Sequence, residues 1–145
     1  MSKSSSFENS LLLLIFNGTA ITGIAQNASS PLTNLYVALH SADPGNGGSQ
    51  TTNEVTTGQY SNYARQLVAR TSGGWIVTNS QVKPASDISF LASSGGTGTT
   101  VTYFSVGTAA SGAGVILYSG IIQPTIVVAT GVQPKLTNST TIQED

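Results

Sequence analysis

A thirteen-residue segment, LYVALHSADPGNG at positions 35–47, constrains the fold of this chain more than any other. Its first six residues form an extended strand in which every second side chain, beginning with Leu35, shares one face. Asp43 and Pro44 then favour a turn, because proline fixes φ and aspartate bonds to the nearby backbone. A strand that ends in a turn and a glycine-rich loop predicts antiparallel β structure.

Seven further segments carry the same signature of Val, Ile, Thr, Tyr and Phe between Gly, Pro, Asn or Ser. With the first segment, the predicted strands are 35–40, 63–70, 75–79, 82–90, 101–107, 115–121, 125–129 and 137–142. Gly73-Gly74 predicts a hairpin turn between two of them. Eight short strands with frequent turn signals predict an all-β fold: a sandwich, a jelly roll or a small barrel.

The N-terminal region has the pattern of a short helix. Ser5 and Glu8 have capping-box spacing ahead of the apolar run Leu11–Phe16, and Gly18 lies where a helix C-cap is expected. These signals predict a helix over residues 6–17. A helix of this length is stable only when it packs on the protein body or on a neighbouring molecule, so the apolar run is expected to be buried.

The rest of the N-terminal region, residues 19–34, is a mixed arm with turn signals at Ser29-Ser30-Pro31. We therefore divide the chain into a helix and arm at 1–31 and a β-sandwich domain at 32–145. The apolar run has six residues, fewer than the roughly 7–15 of a signal peptide. It is also far shorter than the about 20 residues of a membrane span. The sequence therefore predicts a protein made in the cytoplasm that does not enter a membrane.

The chain carries few charges: 8% of its residues are charged, against about 25% in typical domains, and its formal net charge is −1. It contains 20 Ser and 19 Thr, so hydroxyl, amide and backbone groups make up much of the predicted surface. A near-neutral surface argues against binding to nucleic acid and to anionic membranes. Such a surface favours self-association. The absence of cysteine excludes disulfides and thiolate metal sites.

The ionisable side chains show no catalytic pattern. His40, the single histidine, ends a predicted strand, and no G-x-S-x-G signature accompanies it. Asp43 and Glu54 flank one loop and leave two alternatives open: a glycosidase-type carboxylate pair, or positions 1 and 12 of a calcium loop. Gly45 and Gly47 replace two oxygen ligands of such a loop, and no cleft-forming aromatic residues cluster nearby. The sequence therefore predicts no enzyme activity, no cofactor and no metal site.

The two arginines and the single tryptophan have ordinary structural interpretations. Arg65 and Arg70 lie five residues apart on one predicted strand, so they point to opposite faces and are expected to be solvated or locally paired. Trp75 is expected in the core, or as an interface anchor if it is half-exposed.

Two long polar, glycine-rich loops are predicted, at residues 41–62 and 93–100. A loop as long as the first is usually functional or ordered by a partner. We therefore predict that it contacts a partner through backbone groups and polar side chains, and that the charges of Asp43 and Glu54 are not used. The predicted partner-contacting residues, which include the apolar face of the helix, are Leu11, Leu14, Ile15, Phe16, Asp43, Asn46, Gln50, Asn53 and Tyr60.

Four segments, in this order, resemble a family of small phage virion proteins, whose members are often labelled tail fibre proteins. The segments are LYVALHSADPGNGGSQTTNEV, YARQLVARTSGGW, TYFSVGTAASGAGVILYSG and the C-terminal TIQED, and the resemblance covers roughly residues 32–145. The group is similar to the jelly-roll cementing proteins that clamp the capsids of short-tailed double-stranded DNA phages. Together with the strand pattern, this resemblance implies an all-β, antiparallel β-sandwich of jelly-roll type with a short N-terminal helix and arm.

The resemblance also implies a function. The expected protein is non-catalytic, is made in the host cytoplasm, and decorates and cements the capsid exterior by bridging major capsid protein subunits. Its expected partners are the major capsid protein and itself, as a dimer or trimer, with no nucleic acid and no membrane. The alternative is a phage tail or tail-fibre subunit for adsorption. A carbohydrate-binding β-sandwich is a third hypothesis, but one Trp and five Tyr spread along the chain do not form an evident aromatic platform.

Overall fold

The structure is a computed structural model that describes residues 3–21, 24–25 and 31–144. Over these residues the chain forms one α-helix and nine β-strands. The elements are α1 (Ser5–Asn17), β1 (Asn34–His40), β2 (Gln66–Ala69), β3 (Trp75–Thr78), β4 (Gln81–Pro84), β5 (Ile88–Ser89), β6 (Thr99–Gly107), β7 (Ile116–Val128), β8 (Lys135–Leu136) and β9 (Ile142–Gln143). No helix in these ranges has the length and apolar character that crossing a membrane requires. Ser29 and Ser30, where the sequence predicts a turn, lie outside the described residues.

The strands form three sheets, with the orders β2-β1-β6-β7, β3-β4-β9 and β5-β8. The pairings of β6 with β1 and β7, and of β4 with β3 and β9, are all antiparallel. In the largest sheet, Leu39 lies opposite Phe104, which in turn lies opposite Gly120. The antiparallel all-β class predicted from the sequence is confirmed. The jelly-roll type and the boundary between residues 31 and 32 stay predictions.

Several predicted strands differ in extent from the observed ones. The segment 63–70 contributes only β2, and 82–90 divides into β4 and β5 because Ala85 and Ser86 form a bend. Directly after the bend, the Asp87 carboxylate accepts a hydrogen bond from the backbone N–H of Asn138 at 2.9 Å. The prediction of a continuous strand at 137–142 is wrong, because a turn at Asn138 and Ser139 separates β8 from β9.

Conversely, the two predicted strands 115–121 and 125–129 form one long strand, β7. Tyr103 pairs with Ile121 and Val101 with Ile126, so β7 contains extra residues between the two pairings. Such a bulge interrupts the ladder while the strand continues. Sequence alternation fails across a bulge, which explains why one strand was predicted as two.

The predicted hairpin turn at Gly73-Gly74 is wrong. These glycines connect β2 with β3, which lie in different sheets. A Cβ atom on Gly74 would lie 2.0 Å from the Ala69 carbonyl oxygen, so the close backbone approach requires glycine here. The two-residue hairpin of this region is instead Asn79-Ser80 between β3 and β4, where both residues have positive φ (50° and 62°). That is the geometry of a type I′ turn.

By their contacts, the described residues fall into two compact units. The first unit comprises the described residues within 1–35, 68–88 and 137–145. In it, α1 packs on β3 and β4 through the fully buried Leu12 and Phe16. The Phe16 and Trp75 rings pack in an edge-to-face arrangement with a centroid distance of 4.8 Å and an interplanar angle of 65°. The apolar run is therefore buried in part against the protein's own sheet.

Both ends of α1 are capped. Ser4, rather than the predicted Ser5, is the N-cap, and its hydroxyl accepts a hydrogen bond from the Phe7 N–H at 3.4 Å. The capping-box prediction is thus wrong: the Glu8 carboxylate accepts from the Ser80 hydroxyl at 2.9 Å instead of returning to the helix start. The C-cap at Gly18, with φ of 67°, is confirmed.

The Arg70 side chain binds carbonyl groups at the C-terminal end of α1. Its guanidinium donates to the carbonyls of Leu14 and Ile15, the latter at 2.6 Å, and also to the Leu32 carbonyl at 3.1 Å. A cation at this end satisfies carbonyls that lack an intrahelical donor and interacts favourably with the helix dipole. Burial lowers the pKa of Arg70 from its ordinary value.

The second unit comprises residues 36–67 and 89–136. Its centre is the pairing of β1 with β6, and both faces of β1 are buried. Val37 and Leu39 lie on one face, and Ala38 and His40 on the other, with all four side chains fully buried. The sequence predicted this alternation, but it did not predict what covers the second face.

Candidate functional site

Residues 41–62, called here the long loop, turn back along the end of β1. The Ser41 N–H donates to the Asn53 carbonyl at 2.9 Å, and the Val55 N–H donates to the Leu39 carbonyl at 3.0 Å. His40 and Glu54 form an isolated antiparallel bridge. Contacts within the chain therefore hold this loop, and its contact with a partner stays a prediction.

An ion pair between Glu54 and Arg65 anchors the long loop. The Arg65 guanidinium donates from Nε to Oε1 and from Nη2 to Oε2 of Glu54, each at 2.7 Å. The Arg65 side chain is 3% exposed and that of Glu54 is 14% exposed. The bidentate hydrogen bonding to Glu54 raises the pKa of Arg65 above its ordinary value. The bidentate, charge-assisted geometry makes this pair a strong contact between the long loop and Arg65.

The same arginine also holds residues 108–114, called here the short loop. Its guanidinium donates to the carbonyls of Ala109 and Gly112 at 2.9 and 2.8 Å. Gln50 makes a second link: its backbone N–H donates to the Gly114 carbonyl, and its side-chain oxygen accepts from the Ala109 N–H, both at 2.9 Å. Gln50 is fully buried. The long and short loops therefore form one rigid surface.

Two tyrosines extend this network into the unit's interior. The Tyr63 hydroxyl donates to Glu54 Oε1 at 2.8 Å and accepts from the Leu39 N–H at 3.0 Å. Burial, followed by the neighbouring Glu54 charge, raises the pKa of Tyr63 far above its ordinary value, so it stays a neutral donor. The Tyr60 hydroxyl donates to the Leu91 carbonyl, and its ring is fully buried.

His40 and Ser105 form a hydrogen-bonded pair beneath the long loop. The Thr52 carbonyl lies 2.9 Å from His40 Nδ1, and the Ser105 hydroxyl lies 2.8 Å from Nε2. A carbonyl can only accept, so Nδ1 carries the proton and Nε2 accepts from Ser105 in the neutral ring. Burial lowers the pKa of His40, which favours this neutral form. Both side chains are fully buried, so the arrangement of a base beside a hydroxyl is closed to a substrate.

The predicted partner-contacting residues separate into exposed and interior positions. Asp43, Asn46 and Asn53 are exposed on the long loop, whereas Gln50 and Tyr60 are fully buried and contact the chain itself. The Asn53 amide donates to the Asp43 carbonyl at 2.8 Å, and Asn53 has a φ of 55°. On the helix, Phe16 is fully buried and Leu11, Leu14 and Ile15 are half-buried.

The calcium and glycosidase alternatives both require the Glu54 carboxylate, which already accepts hydrogen bonds within the chain. Both oxygens of Glu54 accept hydrogen bonds from Arg65, and one also accepts from Tyr63. Asp43 accepts from the Gly45 N–H at 2.8 Å, as in an Asx turn. Among the described residues, no three His, Asp or Glu side chains cluster as a metal site would require. The available chemistry of the loop surface is hydrogen bonding by backbone and amide groups.

Sequence reasoning missed the central role of Arg65. The available signal was the scarcity of cations, since the chain has five Lys and Arg residues in total and both of its arginines lie in one predicted strand. Such a residue is rarely buried unless it is paired. Its partner lies eleven residues earlier in a loop, and this distance hid the pairing.

Residues 2–143 match a protein family described as "Podophage GP4 fiber I protein gp80". No curated protein matches the chain. The matched range includes the helix, all nine described strands, the long loop and the short loop.

Proposed function

Because this chain belongs to the podophage GP4 fiber I protein gp80 family, we propose that it is a non-catalytic structural subunit of a fibre on a short-tailed phage. Family membership makes it a structural protein of the phage virion. The match over residues 2–143 carries the assignment to a fibre, because the family description names that part of the virion.

The arrangement of ionisable side chains supports a role without catalysis. Glu54, Arg65 and Tyr63 bind one another, and His40 and Ser105 are enclosed under the long loop. A general base or nucleophile must lie within hydrogen-bond reach of a substrate, and buried, mutually bonded groups do not meet that condition. These groups instead stabilise the loops.

The rigid surface of the long and short loops supports partner binding. Asp43, Asn46 and Asn53 are exposed there, and the short loop adds the exposed residues Ala110 to Ala113. A surface that is already ordered loses little conformational entropy on binding, so backbone and amide hydrogen bonds contribute more of their free energy to affinity. We place the contact with a neighbouring virion protein on this surface.

A second candidate is decoration of the capsid exterior by a jelly-roll cementing protein that binds the major capsid protein. Residues 32–145 resemble a virion protein family that is itself similar to cementing proteins, and the low charge of the chain suits contacts over flat interfaces. In either role we propose that the protein binds neither nucleic acid nor membrane, since its net charge is −1.

The number of copies per virion separates the two candidates. We expect quantitative mass spectrometry of purified virions to give roughly a dozen copies or fewer, because a closed oligomer at the tail has few symmetry-related positions. Cryo-electron microscopy of the same virions should place the density on a fibre. Copies in the hundreds, with density on the shell, would replace the fibre assignment by capsid decoration.

Variants of the long loop test the contact surface. Asn46→Lys adds a charge at an exposed position, so it should reduce incorporation into virions while leaving the melting temperature unchanged. Thr130→Lys, at an exposed position outside both loops, is the matched control. Equal incorporation of both variants would place the contact elsewhere.

A further inference from the structure

The sequence contains two Asn-Gly dipeptides, Asn17-Gly18 and Asn46-Gly47. In such a pair the asparagine amide reacts readily with the next backbone nitrogen, because glycine has no Cβ to hinder the approach and adopts many backbone conformations. The reaction is intramolecular, so its rate depends on whether the nitrogen can reach the amide carbon. The fold places the two dipeptides in different surroundings.

Asn17-Gly18 is held at the C-terminal end of α1. Asn17 is the last residue of the helix, and the Gly18 N–H donates to the Leu13 carbonyl as part of the cap. The side-chain oxygen of Asn17 is buried. A Cβ atom on Gly18 would lie 3.8 Å from Nη1 of Arg70, so the space beside this glycine is filled. The nitrogen that would attack is therefore engaged in a hydrogen bond, in a backbone that the helix fixes.

Asn46-Gly47 lies in a turn of the long loop. The Gly48 N–H donates to the Gly45 carbonyl at 3.1 Å, so Asn46 and Gly47 are the two central residues of this turn. Both are exposed. Within the part of the chain that the structure describes, neither the Asn46 side chain nor the Gly47 N–H has a hydrogen-bond partner. A Cβ atom on Gly47 would meet nothing within 4 Å. The amide and the nitrogen are therefore both accessible to water and unrestrained by neighbours.

We propose that Asn46 is a site of spontaneous covalent modification, at which the amide becomes a carboxylate through a succinimide. The Gly47 nitrogen attacks the side-chain carbonyl carbon, Cγ, of Asn46. The new N–Cγ bond closes the ring, the Cγ–Nδ2 bond breaks, and ammonia leaves with the proton from the Gly47 nitrogen. Water then opens the ring at one of its two carbonyls and gives aspartate or isoaspartate. Water is the sole co-reactant. Asn17 retains its amide in the folded protein.

The modification changes the chemistry of the long loop. Either product places a carboxylate at position 46, near Asp43 in the sequence, on a chain whose formal net charge is −1. The proposed function puts a partner contact on this surface. There the converted subunit should bind less well, because an amide donor is lost and a charge must be desolvated. That consequence rests on the proposed function, whereas the reaction at Asn46 does not.

Peptide mapping by mass spectrometry of the purified chain tests the reaction. The protein is incubated in a mildly alkaline buffer made with heavy-oxygen water, so that carboxylates formed during the incubation carry the label. In the folded protein, Asn46 should convert at least about tenfold faster than Asn17. In urea the two rates should agree within about threefold, because the unfolded chain restrains neither dipeptide. Equal rates in the folded protein would overturn the proposal, and so would a difference that persists in urea.

Gly47→Ala is the matched variant. The φ angle of Gly47 is not positive and a Cβ there meets open space, so alanine should leave the circular dichroism spectrum unchanged. Conversion of Asn46 should slow at least about tenfold, because the added Cβ hinders the attacking nitrogen. An unchanged rate would contradict the succinimide route.

Asn46→Asp separates the reaction from its consequence. This variant carries the charge of the product from the start, so the proposed contact predicts reduced incorporation into virions. Normal incorporation, together with fast conversion of Asn46 in the natural protein, would support the modification site and contradict the contact surface.

Discussion

In the first unit, α1 is held by apolar contacts of Leu12 and Phe16 with a sheet that contains Trp75. In the second unit, one face of β1 is covered by a polar loop that an ion pair and buried amide groups hold in place. The first arrangement follows from a local apolar pattern. The second depends on pairs of polar residues far apart in the chain. Order in a glycine-rich polar loop therefore does not require a partner when its few charged residues are paired internally.

The largest expected effect is in the apolar contact of the first unit. Phe16→Ala should destabilise the protein by about 3–5 kcal/mol, because it leaves a cavity against Trp75. The single tryptophan reports on this site, and its emission should shift to longer wavelength if the helix separates from the sheet. Phe7→Ala, at a position that is 38% exposed, should cost much less in the same urea titration. Equal costs would show that the helix does not depend on its buried face.

A comparable effect is expected when the ion pair of the second unit loses one partner. Arg65→Met leaves the Glu54 carboxylate buried without its cation and should cost about 3 kcal/mol or more in urea unfolding. The sequence alone predicts that Glu54→Gln is nearly silent. The ion pair instead predicts that this substitution also lowers the free energy of unfolding. The double variant Arg65→Met with Glu54→Leu should regain much of the stability. A double variant as unstable as the sum of the singles would show that the pair does not act as a unit.

A smaller effect is expected at the helix end. Arg70→Met removes hydrogen bonds from a charged donor to the carbonyls of Leu14 and Ile15, and should cost about 1–3 kcal/mol. Helical circular dichroism should decrease with the stability. Lys83→Met, which removes a half-buried cation from β4 without touching these carbonyls, is the control. Loss of the same amount in both variants would assign the effect to net charge.

The pH dependence of stability should come from the second unit. Burial holds the folded-state pKa of His40 below the value of about 6.5 expected in the unfolded chain. The unfolded state therefore binds more protons on acidification, so stability is complete above pH 6.5 and falls as the pH decreases below it. His40→Gln should flatten this dependence between about pH 7 and 5.5. An unchanged slope in urea titrations would assign the dependence to other groups.

The smallest effect is expected at Asp43. Asp43→Asn retains an oxygen that accepts from the Gly45 N–H, so stability should change by no more than about 0.5 kcal/mol. Differential scanning calorimetry in the presence and absence of calcium measures the stability and also tests for calcium binding at the long loop. A higher melting temperature with calcium in the natural protein, lost in Asp43→Asn, would restore the calcium alternative.

Local sequence was sufficient for the helix near residues 6–17, its Gly18 cap, the alternation of β1 and the antiparallel class, because these depend on near neighbours and on side-chain periodicity. Only the tertiary structure decided that Arg65 pairs with Glu54, that Arg70 caps the helix, and that β7 continues through a bulge. Each of these depends on which distant groups meet. A guanidinium accepts any carboxylate or carbonyl brought within reach, and sequence spacing does not select among them. For the same reason, the sequence predicted a loop that contacts a partner, whereas the fold decided that Gln50 and Tyr60 lie inside and that Asn46 lies at the surface.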